Sequence, residues 1–204
     1  MVTLKHKLLL GLTLAGVNVA AITVPLVAAA DSQQTTTQVG LTVNPVIISY
    51  SSGPIVTLGA VNPDTSGRQS TASDTINANT NDSAGLTVTL QENSAASTAM
   101  ISGSNTIPAS AGTTSSPVAL ANNTWGWRMD SLAGFGAGPT STISNAAPSA
   151  LTYAAIPANG SPFTLHTTST NGSTADTVWY SARVNNTQAA GTYQTTVLYT
   201  VTTN

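Results

Sequence analysis

The chain opens with its one long apolar run and then switches to alternation. Lys5, His6 and Lys7 precede a stretch from Leu8 to Ala21 that is apolar apart from Thr13 and Asn18, Pro25 interrupts, and Ala28-Ala29-Ala30 lead into Asp31. This order predicts a secretory signal peptide over residues 1–30, cleaved after Ala30. The run is shorter than the roughly 20 apolar residues that a spanning helix needs. Residues 31–38 read as a polar leader. From residue 39 the apolar positions recur every second residue. Val39, Leu41 and Val43 alternate, Pro45 interrupts, and Val46–Tyr50 continues the strand, with the proline marking an edge or a bulge.

The same period runs to the end of the chain. Ile55–Val61 predicts a second strand, and Pro63-Asp64-Thr65-Ser66-Gly67 supplies turn chemistry. Leu86, Val88 and Leu90 alternate with Thr87, Thr89 and Gln91, the cleanest half-buried strand in the sequence. Asn93–Asn123 reads as short strands on long loops, followed by a strand at Trp125–Met129. Leu151–Ile156 and Pro162–Thr168 flank Asn159-Gly160, a hairpin signal. Asn171-Gly172 leads to Thr177–Val184, and Thr192–Thr202 closes the chain with Tyr193, Thr195, Val197, Tyr199 and Val201 on one face. No stretch after residue 30 carries a 3.6-residue apolar stripe. The expectation is an all-β fold, a single antiparallel β-sandwich over residues 39–204, Ig-like or jelly-roll-like.

Composition narrows the function. Cleavage leaves 174 of 204 residues with Arg68, Arg128 and Arg183 against seven acids, a net charge of −4 and no lysine. So few cations exclude an electrostatic footprint for nucleic acid. Charged residues make up 6% of the chain, against about 25% in ordinary soluble domains. With no cysteine, the chain can carry neither a disulfide nor a lipoprotein thioether, and with no lysine after cleavage it forms no lysine isopeptide crosslink. The closing Tyr199–Asn204 has no apolar or basic tail, and no L-P-x-T-G segment is present. These features predict an extracellular protein with no membrane span after cleavage, held to the surface without a covalent bond or released.

Candidate chemistry is sparse. His166, the one histidine after residue 30, lies on a predicted strand with no G-x-S-x-G elbow anywhere. The acids Asp31, Asp64, Asp74, Asp82, Glu92, Asp130 and Asp176 could pair as in a glycan hydrolase, but most fall in predicted turns. Asp74, Asn77, Asn79, Asn81 and Asp82 could offer oxygens to calcium, without the spacing of an EF-hand loop. Gly134-Phe-Gly-Ala-Gly138 lacks the lysine of a phosphate loop. No cofactor, catalytic residue or metal ligand is assigned. The strand Thr177–Val184 puts Val178, Tyr180, Ala182 and Val184 on one face. Trp179 and Arg183 therefore share the other, a candidate contact surface for a sugar ring or a partner chain.

Two segments resemble the paired motifs of WxL-type cell-wall-binding domains. They are Gly85-Leu-Thr-Val-Thr-Leu90 and Ala190-Gly-Thr-Tyr193-Gln-Thr-Thr-Val197-Leu-Tyr199-Thr-Val201, with Leu86, Tyr199 and Val201 where the family carries its signature residues. The Gly-Thr-Tyr followed by an alternating last strand is also similar to spore-coat and fimbrial-type sandwiches. The resemblance implies a secreted bacterial surface β-sandwich without enzymatic activity. The expected role is structural or adhesive, binding cell-wall polymer, glycan or another surface protein. The alternatives are a subunit of a pilus or coat that self-associates by strand addition, and a carboxylate-based hydrolase.

Overall fold

The computed structural model describes residues 38, 40–51, 53, 55–130, 132 and 134–204. The signal peptide and the polar leader up to residue 37 lie outside the described residues. The chain forms two compact units, Met1–Thr42 and Val43–Asn204. In the first, the described residues carry no regular secondary structure. The second is all-β and sandwich-like. Its strands are β1 (Ile47–Ser51), β2 (Arg68–Thr80), β3 (Leu86–Glu92), β4 (Met100–Ser102), β5 (Asn105–Ile107) and β6 (Val118–Ala119). There follow β7 (Thr124–Arg128), β8 (Ile143–Ala146), β9 (Thr152–Tyr153), β10 (Phe163–Thr167), β11 (Gly172–Val184) and β12 (Val197–Thr203). No helix among the described residues is long and apolar enough to cross a membrane.

One sheet has the order β1-β2-β11-β7, and the other the order β10-β3-β12, all antiparallel. The first is built on an unbroken ladder from Arg68↔Val184 to Thr80↔Gly172. Its two strands are each 13 residues long. β8 borders β2 at Gln69 and Thr71, and β1 borders it from Ile76 to Thr80. In the second sheet the alternation of β3 does what its pattern demands. Leu86, Val88 and Leu90 are fully buried while Thr87, Thr89 and Gln91 stay partly exposed. Burying each such aliphatic side chain contributes roughly 1.5–3 kcal/mol.

The core between the sheets joins Leu86, Val88 and Leu90 to Ile76, Ala78, Val178, Tyr180 and Ala182, with Trp125, Trp127 and Met129 alongside. Each buried indole keeps a hydrogen bond, Trp125 Nε1–H to the Thr98 carbonyl and Trp127 Nε1–H to that of Ala155, both at 2.9 Å. Between them Gly126 has no room for a side chain, because a Cβ would stand 2.6 Å from the Ala154 carbonyl oxygen.

Several expectations change. β2 lies where only turns and a polar cluster were expected, because its inward positions include Ser70, Asp74 and Thr80 beside Ala72, Ile76 and Ala78. Ile55–Val61 has no strand, although Val56 and Leu58 pack against the core. Asn159-Gly160 does turn the chain, with Ser161 N–H on the Ala158 carbonyl at 3.0 Å. It makes no hairpin, since β9 pairs with β6 and β10 with β3.

Candidate functional site

The alternation expected for β11 holds, but its second face is not solvent. Val178, Tyr180 and Ala182 enter the core, and Trp179 and Ser181 point away from it. Yet Trp179 is only 8% exposed. In register it lies between Ser73 of β2 and Arg128 of β7. The buried Arg128 guanidinium donates to Asp130 Oδ1 at 3.1 and 3.2 Å, to the Phe135 and Gly136 carbonyls at 2.9 and 2.7 Å, and to the Thr152 carbonyl at 3.3 Å. One side chain thus ties a glycine-rich loop and β9 to this face.

The next position along is sealed as well. Ser181 has no exposed surface; it accepts from Gln69 Nε2 at 2.9 Å, shares a 2.8 Å bond with Thr71 and donates to the Ser70 carbonyl. Gln69 also donates to the Tyr153 hydroxyl and accepts from Ser149 N–H. Arg183 spends its guanidinium on the Leu120 and Ser66 carbonyls, at 2.9 and 2.8 Å. The contact surface expected at Trp179 and Arg183 is therefore corrected. Trp179 is buried in a second, internal layer, and Arg183 clamps two loops. The local signal was Trp125-Gly-Trp-Arg128, whose alternation places the arginine on that same outer face.

The other end of the same ladder is bare. β7 pairs with β11 only from Trp179 to Arg183, so Gly172–Val178 has no strand on that side among the described residues. On the outer face Asn79, Ser173 and Ala175 are exposed, and Asn77, Thr75 and Thr177 are half-buried. Beside them runs β1 with Ile48, 60% exposed, on the same face. Ile48, Asn77, Asn79, Ser173 and Ala175 border an open hollow of about 430 Å³. It is a shallow hollow on the sheet face and does not enclose a small molecule. Four of the eight large apolar side chains exposed among the described residues, Val43, Val46, Ile48 and Ile55, lie on or next to β1.

The remaining candidates are held in structural bonds. His166 Nδ1 sits 3.1 Å from Asp176 Oδ1, and Thr174 donates to the other carboxylate oxygen at 2.7 Å. The pair bridges β10 and β11, and thereby the two sheets, and the threonine hydroxyl serves the carboxylate rather than the imidazole. Asp74 accepts from Ser51 Oγ at 2.6 Å and Gly53 N–H at 3.1 Å, while the fully buried Glu92 accepts from Thr195 Oγ1 at 2.9 Å. Between the sheets the Tyr180 and Tyr199 hydroxyls share a 2.5 Å hydrogen bond, and burial pushes both phenols well above their usual ionisation range.

The oxygens proposed for calcium do not converge. Asp74 faces inward, Asn77 and Asn79 face outward, and Asn81 and Asp82 hold the turn after β2. Gly85 closes that turn with φ of +88°, beside the Thr168 backbone. The two segments that resemble WxL motifs lie side by side, Leu90 opposite Tyr199 and Val88 opposite Val201. No known protein family, curated protein or solved structure matches the chain.

Proposed function

We propose that this chain is an exported, non-enzymatic structural subunit of a cell surface that makes its contacts by strand addition at the β1 edge. The observation that supports this reading most is Ile48, solvent-exposed on β1 and flanked by the exposed Val43, Val46 and Ile55 outside the strand, with the outer edge of β1 carrying no partner among the described residues. A β-edge left this apolar is a template for another strand. The basic-then-apolar start and the Ala28–Ala30 exit support export. Retention on wall or glycan, the role expected from the resemblance, loses the stacking aromatic that would serve it, since Trp179 is buried.

Fractionation of the native cells tests the proposal. The protein should be found in the envelope, released by denaturant and not by glycan-degrading enzymes. Ile48→Lys should move it into the medium, because a lysine on an edge strand opposes pairing. Recovery of the unmodified chain inside the cell, or unchanged retention of Ile48→Lys, overturns the proposal.

A further inference from the structure

We infer that the strand added at β1 is the β1 of a second copy, paired antiparallel about a two-fold axis through Ser49. This rests on the strand-addition reading above and names its partner. Val46 turns its main chain toward β2, its carbonyl accepting from Asn81 N–H and its own N–H bound to Asn81 Oδ1. In an antiparallel pair the direction of the main-chain groups alternates. Ile47, Ser49 and Ser51 therefore direct their N–H and C=O groups to the open side. A second β1 centred on Ser49 sets Ile47 against Ser51 of the other copy and Ser49 against Ser49. Every outward group then meets an outward group, along the full length of the strand.

Charge selects the same partner. From Val39 to Pro63 the sequence has no charged residue and no histidine. An edge meant to stay single is commonly guarded by charge, above all lysine; this one is not. It offers no ion pair to a charged partner and no repulsion to its own copy. The bare edge of β11 is different, because Asp176 and His166 stand at its side. An inward charge there is the usual guard against pairing. Self-complementarity is what a two-fold interface requires. Five paired residues make a small contact, so association should depend on concentration and strengthen on a crowded surface.

The test uses the full chain as its cells produce it. Light scattering over a concentration series should show a monomer passing to a dimer. Ser49→Lys, which sets two ammonium groups face to face, should weaken that dimer by roughly tenfold or more while leaving the melting temperature in place. Mixing Ser49→Lys with Ser49→Asp should restore it. Ser49→Cys should form an intermolecular disulfide, since paired Cα atoms lie about 5.5 Å apart, and the chain has no other cysteine. Thr200→Cys, exposed on β12, should not. A chain that stays monomeric, or a dimer indifferent to Ser49→Lys, overturns the inference. Loss of Ser49→Lys from the envelope by a chain that is monomeric when pure assigns β1 to another protein: strand addition stands and self-pairing falls. A dimer that is not retained by the envelope overturns the surface role instead.

Discussion

The two ends of the β2–β11 ladder share strands, register and faces, yet one end is interior and the other is surface. At the covered end Gln69, Thr71, Trp179 and Ser181 are at most 8% exposed, under a layer of loops pinned by Arg128. At the bare end Asn79, Ser173 and Ala175 occupy the equivalent outer positions in the open. Strand pairing alone therefore does not decide whether an outer position is buried. The loop that comes back over it does, and the covered end recruits that loop with one buried cation and one glutamine. The bare end has no such anchors among the described residues and stays open.

The comparison breaks first at Trp179. Trp179→Ala should cost roughly 3–5 kcal/mol in urea unfolding, the range for truncating a buried aromatic. A cost below 1 kcal/mol would return Trp179 to the surface and erase the distinction between the ends.

The polar anchor comes next. Gln69→Ala strands the Ser149 N–H and removes a donor from both Ser181 and Tyr153. An unsatisfied buried group costs roughly 1–3 kcal/mol. Asn79→Ala, on the same strand and the same face, should change stability by less than about 0.5 kcal/mol, as for an ordinary surface site. Equal costs at the two positions would contradict the assignment of cover to one end only.

The inner face, continuous beneath both ends, gives a third test. Tyr180 and Tyr199 are held neutral by burial, so their folded pKa values lie above that of the unfolded chain. The unfolded state therefore loses these protons first as pH rises. Stability should be unaffected by these groups below about pH 10 and fall above it. Tyr199→Phe should flatten that alkaline slope in chemical-denaturation series. An unchanged slope would mean that the pair does not titrate with unfolding.

The legible part of this fold was the part written in large side chains. Leu86, Val88 and Leu90 gave β3, and Val178, Tyr180 and Ala182 gave the facing of β11. The missed strand, β2, turns Ser70, Asp74 and Thr80 inward, where hydrogen bonding and neighbouring strands rather than apolar period hold it. The placement of Trp179 went astray for a related reason. Alternation reports which face a residue takes, and the cover on that face comes from residues 130–155, far along the chain. The edge at β1 was legible as an interrupted strand at Pro45. Its exposure was not, since the same apolar letters would suit a buried strand.

The smallest effects divide the ends by sign. Ala175 and Ser181 lie on one face of one strand, three ladder steps of that face apart. Ala175 is exposed and Ser181 has no exposed surface. Threonine fits a pleated, half-open surface better than alanine does, on a scale that spans about 1 kcal/mol in all. Ala175→Thr should therefore raise stability by a few tenths of a kcal/mol, roughly, as nothing on the open face opposes the added methyl. Ser181→Thr adds a similar methyl between Thr71 and Gln69, where the hydroxyl already answers three partners. Overpacking a closed site costs roughly 1–3 kcal/mol. Both variants can be ranked in one thermal-unfolding series. If Ser181→Thr is neutral, the layer over Trp179 is loose enough to yield. If Ala175→Thr is costly, the bare end carries a cover of its own.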